Sequence, residues 1–163
     1  MKYLPLCLFM CLFLFGCQKE QDRRALGAYY KYTINGVETK IEDGAGVYEN
    51  TFSCELFGDT ALYVNVSKSF EQAGFYIHAT RINDTTYTFD NFNRAYYTEG
   101  STGRRFKTDD THTGQVTLKR GTFQASSMLN IMQGDFTYQA IDSFTGKTVN
   151  LMNGSFMMEI TER

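Results

Sequence analysis

The chain has no tryptophan, only two histidines, and a single proline, Pro5, which falls inside the first apolar run. Beyond that position no proline interrupts backbone pairing, so long strands are permitted throughout. Cysteine is nearly as scarce. Cys7, Cys11 and Cys17 precede Gln18, and only Cys54 follows. There is no basic surplus either: the formal net charge is −2, and a mildly acidic chain lacks the electrostatic footprint of a nucleic-acid binder. The reactive motifs sought are missing too. No G-x-S-x-G elbow, P-loop or H-E-x-x-H occurs. Asp43-Gly-Ala-Gly46 lacks the third glycine and the following helix of a dinucleotide site, and reads as a loop. No cofactor is expected, and an enzyme is the least supported class.

The one long hydrophobic run is at the start, MKYLPLCLFMCLFLFG. Lys2 supplies a positive n-region, and the apolar stretch is shorter than the ~20 residues that span a bilayer. It matches the apolar segment of a secretory signal instead. It ends Leu14-Phe15-Gly16-Cys17, which resembles the bacterial lipobox, where a small residue precedes a cysteine that is acylated before the signal is removed. Phe15 is bulkier than the residue usual at its place. The resemblance implies a signal over 1–16 and a lipid-bearing Cys17, and the composition that follows is expected to give a polar tether over 17–28 and an all-β domain over 29–163. Two or more acyl chains make anchoring stable, each buried CH₂ contributing about 0.8 kcal/mol. Gln18 stands where an enterobacterial inner-membrane retention signal has Asp, and Lys19-Glu20 and Asp22 resemble the short acidic export signals of Bacteroidetes lipoproteins. The expected location is the outer membrane, with the surface and the periplasmic face both open. Cleavage removes Lys2 and makes the net charge one unit more negative. With Cys7 and Cys11 expected to leave with the signal and Cys17 to carry lipid, Cys54 is a lone thiol without an internal disulfide, so the fold must rest on its core.

The remainder is rich in Phe, Tyr, Thr, Val and Ile with glycines at short intervals, the composition of pleated, half-buried surfaces. Asn35-Gly36 between alternating runs predicts a type I′ hairpin pairing Ile34 with Val37, Tyr32 with Thr39 and Tyr30 with Ile41. Lys31 then faces Lys40 on the opposite side. Phe52, Cys54 and Leu56 alternate, as do Leu62, Val64 and Val66. Only a three-residue loop, Gly58-Asp59-Thr60, with an accompanying bulge, puts both sets on one face. Further strands are expected over 75–81, 85–89, 114–119, 122–126, 128–132, 134–141, 147–152 and 155–161. Turns are expected at Asn83-Asp84, 143–146 and Asn153-Gly154, and ASSMLNIMQ reads as strand or short helix. The polar stretch 91–113 is the least regular and the candidate for a mobile functional loop. The fold class expected is all-β, a single antiparallel β-sandwich or partly open β-barrel of about 8–10 strands.

A Gly-x-Phe motif recurs at Gly121, Gly134 and Gly154, read as a glycine at a bend followed by an inward aromatic. The tyrosine-rich strand ending in Asn35-Gly36, Gly114-Gln-Val-Thr-Leu, Gly134-Asp-Phe-Thr-Tyr-Gln-Ala and Val149-Asn-Leu-Met-Asn-Gly-Ser-Phe together resemble a known group. They are similar to small Bacteroidetes lipoproteins classed as domains of unknown function, typically β-sandwiches or partly open barrels. The resemblance implies fold and location and supplies no catalytic residue.

Cys54 is in phase with Phe52 and Leu56, so it reads as a core hydrophobe. His78 lies on the face opposite Phe75 and Ile77. Asp109, Asp110 and His112 offer oxygen and imidazole donors, but no calcium or zinc pattern is complete. Asp59-Thr60-Ala61 and Asp84-Thr85-Thr86 resemble the tripeptide that carries O-glycans in Bacteroidetes. The best surface candidate combines Arg104, Arg105 and Lys107 with Tyr96, Tyr97 and Phe106, where aromatic planes and cations meet. The expected function is a monomeric, non-enzymatic binding module held to the membrane by acyl chains, with a glycan or protein ligand. The alternative is a lipocalin-like carrier with an open interior.

Overall fold

The computed structural model describes residues 26–43, 50–125 and 128–163. The signal, Cys17, most of the tether, the Gly44–Gly46 part of the glycine loop and the Ser126 end of an expected strand lie outside the described residues. Among the described residues, twelve strands form one sheet: β1 Tyr29–Ile34, β2 Val37–Glu42, β3 Asn50–Phe57, β4 Ala61–Lys68, β5 Glu71–His78, β6 Thr86–Phe89, β7 Arg94–Thr98, β8 Arg105–Lys107, β9 Gly114–Gln124, β10 Met128–Ile141, β11 Thr148–Glu159 and β12 Thr161–Glu162. Their order is β12-β3-β4-β5-β7-β8-β10-β11-β1-β2, with β9 on β10 and β6 on β9. Every pairing is antiparallel except β12 with β3. The domain is all-β, an open sheet rolled around a single main core.

Both hairpins have the expected register. Asn35 and Gly36 carry φ of 53° and 79°, the two positive angles a type I′ turn needs, and β1 pairs β2 from Tyr29–Glu42 to Ile34–Val37. Lys31 does face Lys40, and each finds a carboxylate on β2, Glu38 at 3.6 Å and Glu42 at 2.5 Å. The β3–β4 loop is Gly58-Asp59-Thr60, and Leu56–Leu62, Cys54–Val64 and Phe52–Val66 pair as predicted. That ladder runs without a register shift, so the expected bulge is absent from it.

The C-terminal half departs from expectation in a consistent way. Three pairs of expected strands are single long strands, β9, β10 and β11. Gly121 and Gly134 do not end strands. Asn153-Gly154 is not a turn but a bulge inside β11: Asn153 has φ 51° while Gly154 does not take a positive angle. The register shifts there against both neighbours, β1 and β10. The Met128–Met132 stretch is strand, apolar on both faces because Met132 points into the main core while Leu129 and Ile131 face a second cluster with Leu26 and Ala28. Packing therefore includes Leu26, ahead of the expected domain start.

The second correction concerns 91–113. It holds two strands, β7 and β8, which join β5 to β10 in the middle of the sheet. Their shortness and polar outward residues hid them; buried Ala95, Tyr97, Phe106 and Thr108 fix them inward. At Ile141 strand β8 takes over the edge of β10 that β9 occupies up to Tyr138. Near the C-terminus, β12 bridges the seam between β11 and β3, and the Arg163 guanidinium meets Glu55 at 3.0 Å.

The interior is aromatic. Phe75 touches Phe89, Phe136 and Phe156, and Tyr30 stacks on Phe136 at 4.8 Å between centroids. Such pairs contribute about 0.5–1.5 kcal/mol each beyond their burial. The Gly-x-Phe repeats explain how the rings fit. Gly134 lies opposite Phe156 and Phe136 opposite Gly154 on the paired strands. Each glycine leaves the space the other strand's ring fills: a Cβ on Gly154 would sit 2.3 Å from the Phe136 ring, and one on Gly134 3.0 Å from Phe156.

Candidate functional site

Alternation along β7 and β8 sorts the residues of the surface candidate. Successive strand side chains point to opposite faces, so Tyr96 and Tyr97 cannot share one. Tyr97 (8% exposed) and its cross-strand partner Phe106 (4%) enter the core, their ring centroids 6.0 Å apart. Tyr96, Thr98, Arg105 and Lys107 face outward, with Tyr96 opposite Lys107 and Thr98 opposite Arg105. The five expected site residues thus divide: Tyr96, Arg104 and Arg105 belong to the surface, while Tyr97 and Phe106 have core side chains.

The outward residues form one wall of a cleft of about 740 Å³, within the usual range of small-ligand sites. The opposite wall is the β10–β11 loop, Asp142 to Thr145, which the sequence marked only as a turn. Asp142 builds that loop. Its carboxylate accepts the Phe144 N–H at 2.9 Å and the Thr145 hydroxyl at 2.6 Å, its N–H donates to the Lys147 carbonyl, and its carbonyl accepts from Gly146. Gly146 supplies the positive φ of 70° that closes the turn. The result is a constrained loop that holds Phe144 outward, 99% exposed. On the other wall Glu99, Thr102 and Gly103 close the β7–β8 loop beside Arg104.

The floor is equally fixed. The Tyr96 hydroxyl donates to Asn65 Oδ1 at 2.7 Å and lies 3.1 Å from the Tyr63 hydroxyl, so its ring is tethered from both β4 positions. Burial pushes its phenol well above the usual range, and it stays neutral. Asp142 is the cleft's carboxylate, held below its usual range first by the Thr145 hydroxyl and then by the Phe144 N–H, with the Arg104 charge adding.

Three carboxylates share that direction of shift: Asp142, Asp109, lowered chiefly by the His112 N–H, and Glu55, lowered chiefly by Arg163. A depressed folded-state pKa contributes stability above the unfolded value, about 4, and that contribution is lost as pH falls through the folded pKa. Thermal melts between pH 7 and pH 2.5 should therefore show stability declining only below about pH 4. The Asp142→Asn variant should melt lower at pH 7 and show a shallower acid decline. An identical acid slope in wild type and variant would contradict that role for Asp142.

The other candidates resolve into structural roles. Cys54 is buried, and burial pushes its thiol up to about 12. His78 is exposed on β5, facing away from the core. Asp109 Oδ1 is occupied by the Thr111 and His112 N–H groups at 2.8 and 2.6 Å and lies 2.9 Å from His112 Nδ1, while Asp110 accepts from Asn91. Among the described residues no group of three His, Cys, Asp or Glu side chains is placed to hold a metal ion. Thr60 and Thr85 are both exposed in turns, and the neighbouring Asp59 and Asp84 both accept from Arg120.

Sequence reasoning missed Phe144 and Gln72, which line the cleft from elements distant in the chain. The available signal was an apolar ring in the otherwise polar turn Ser143-Phe-Thr-Gly146. No protein-family model, no curated protein and no solved structure matches this chain.

Proposed function

We propose that this is a lipid-anchored outer-membrane lipoprotein of the Bacteroidetes type, acting as a non-enzymatic binding module whose ligand enters the cleft between β7–β8 and the β10–β11 loop. The observation that carries the reading is the placement of that cleft. Leu26 and Ala28, the first described residues of the chain, pack on Leu129 and Ile131 near the start of β10. The cleft lies past Ile141, at its end. At 3.2–3.4 Å per residue the two are about 30 Å apart along the strand. A domain tethered through Cys17 would present its cleft away from the bilayer.

Cationic side chains on paired strands facing an exposed aromatic ring on a hydrogen-bonded loop suit recognition, while the Cys54 thiol is buried in the core and neither histidine lines the cleft. The lipocalin-like carrier has less support, because interior positions that a ligand would need are taken by contacting rings of Tyr30, Phe75, Phe89, Phe136 and Phe156. The anchor is tested by cell fractionation. Wild type should sediment with outer membrane, and Cys17→Ala should move to the soluble fraction. Unchanged sedimentation of the variant would overturn the anchor.

A further inference from the structure

We propose that the cleft binds an acidic saccharide, its carboxylate or sulfate paired with Arg105 and Lys107 and its ring face stacked on Phe144; this rests on the binding-module reading above. Three features of the cleft argue for that class. First, it is cationic on a chain of net charge −2. Arg104, Arg105 and Lys107 line it, and Asp142 spends its oxygens on its own loop. Among the described residues, Arg105 and Lys107 form no ion pair. A guanidinium with free N–H groups accepts a carboxylate or sulfate bidentately.

Second, Phe144 is a nearly fully exposed ring carried on backbone that the Asp142 turn fixes. Unlike Phe92, which is 82% exposed elsewhere, Phe144 lines the cleft beside the cations, and a pyranose offers an apolar C–H face to cover it. Third, hydrogen-bonding side chains, Gln72, Thr98 and Ser143, also line the cleft, which suits a rim of hydroxyls. Other acidic partners fit less well. A peptide strand would need a free sheet edge, yet β7 pairs with both β5 and β8, and β8 with both β7 and β10. A lipid surface would need several exposed apolar side chains, and Phe144 is the only large one in the cleft.

The test uses the full chain, purified in detergent, with calorimetric titration of four probes: an oligogalacturonate, a heparin hexasaccharide, neutral maltohexaose and a hexaglutamate peptide. At least one acidic saccharide should bind, more weakly as salt rises, and maltohexaose and hexaglutamate should not. Affinity should fall about tenfold or more in Phe144→Ala and in the Arg105→Gln/Lys107→Gln double variant, a loss of about 1.4 kcal/mol. Phe92→Ala, which removes a ring 82% exposed outside the cleft, should bind as wild type. Matching melting temperatures among the variants exclude unfolding as the cause. Equal binding of hexaglutamate, or binding that ignores Phe144→Ala, would overturn the saccharide. Preference for maltohexaose would overturn the acidic class while leaving the cleft as a binding site. No binding of either acidic saccharide at millimolar concentration would overturn the proposal, and neither of these results touches the Cys17 fractionation.

Discussion

Replacing Phe75 with alanine is expected to lower unfolding stability by about 3–5 kcal/mol. Phe75 is fully buried on β5 and touches three other rings, Phe89, Phe136 and Phe156, which come from β6, β10 and β11. Those strands lie on both arms of the branched sheet, so the ring joins the β3–β4–β5 side to the long C-terminal strands. Alanine removes the transfer free energy and leaves a cavity that rigid neighbouring rings cannot collapse into. Globular domains have only about 5–15 kcal/mol in total, so this one change consumes a large part of the margin. Chemical denaturation at pH 7 measures it directly. A loss below about 1 kcal/mol would mean that the core repacks, contrary to a site held by interlocking rings.

The second large effect is a coupling. Gly154→Ala should cost about 1–3 kcal/mol, because the new Cβ would fall 2.3–2.5 Å from three atoms of the buried Phe136 ring. Phe136→Ala alone should cost about 3–5 kcal/mol. In the double variant the Gly154→Ala increment should shrink to near zero, since the clashing ring is gone. The cycle thus returns an interaction energy of about 1–3 kcal/mol. Additive costs would show instead that Gly154 is needed for the bulge backbone and not for the ring. Gly134 is a harder case: its Cβ would also sit 2.1 Å from the Thr117 carbonyl oxygen, and no side-chain change can relieve backbone.

The cleft was half legible in the sequence. Clustered Arg104, Arg105 and Lys107 beside Tyr96 drew notice because cations and aromatics occur together over a few residues. Once β7 and β8 are recognised as strands, period-two alternation assigns Tyr97 and Phe106 inward without further help. Their shortness is what concealed them: three and five residues give too few alternations to read. Phe144 and Gln72 could not be attached to the site at all, because nothing local says that the β10–β11 loop returns beside β8.

The two Asn-Gly pairs mark the division most clearly. At Asn35-Gly36 the sequence by itself determined the outcome, because the flanking runs pair with each other across two residues and the turn requires nothing more distant. The β3–β4 register was likewise set locally, by which faces must be apolar. At Asn153-Gly154 the same dipeptide continues a strand. There β11 is held between β1 on one side and β10 on the other, and reversing the chain would break pairing with both. Only the tertiary structure decided that, since two long ladders and a buried ring outweigh one turn's local preference.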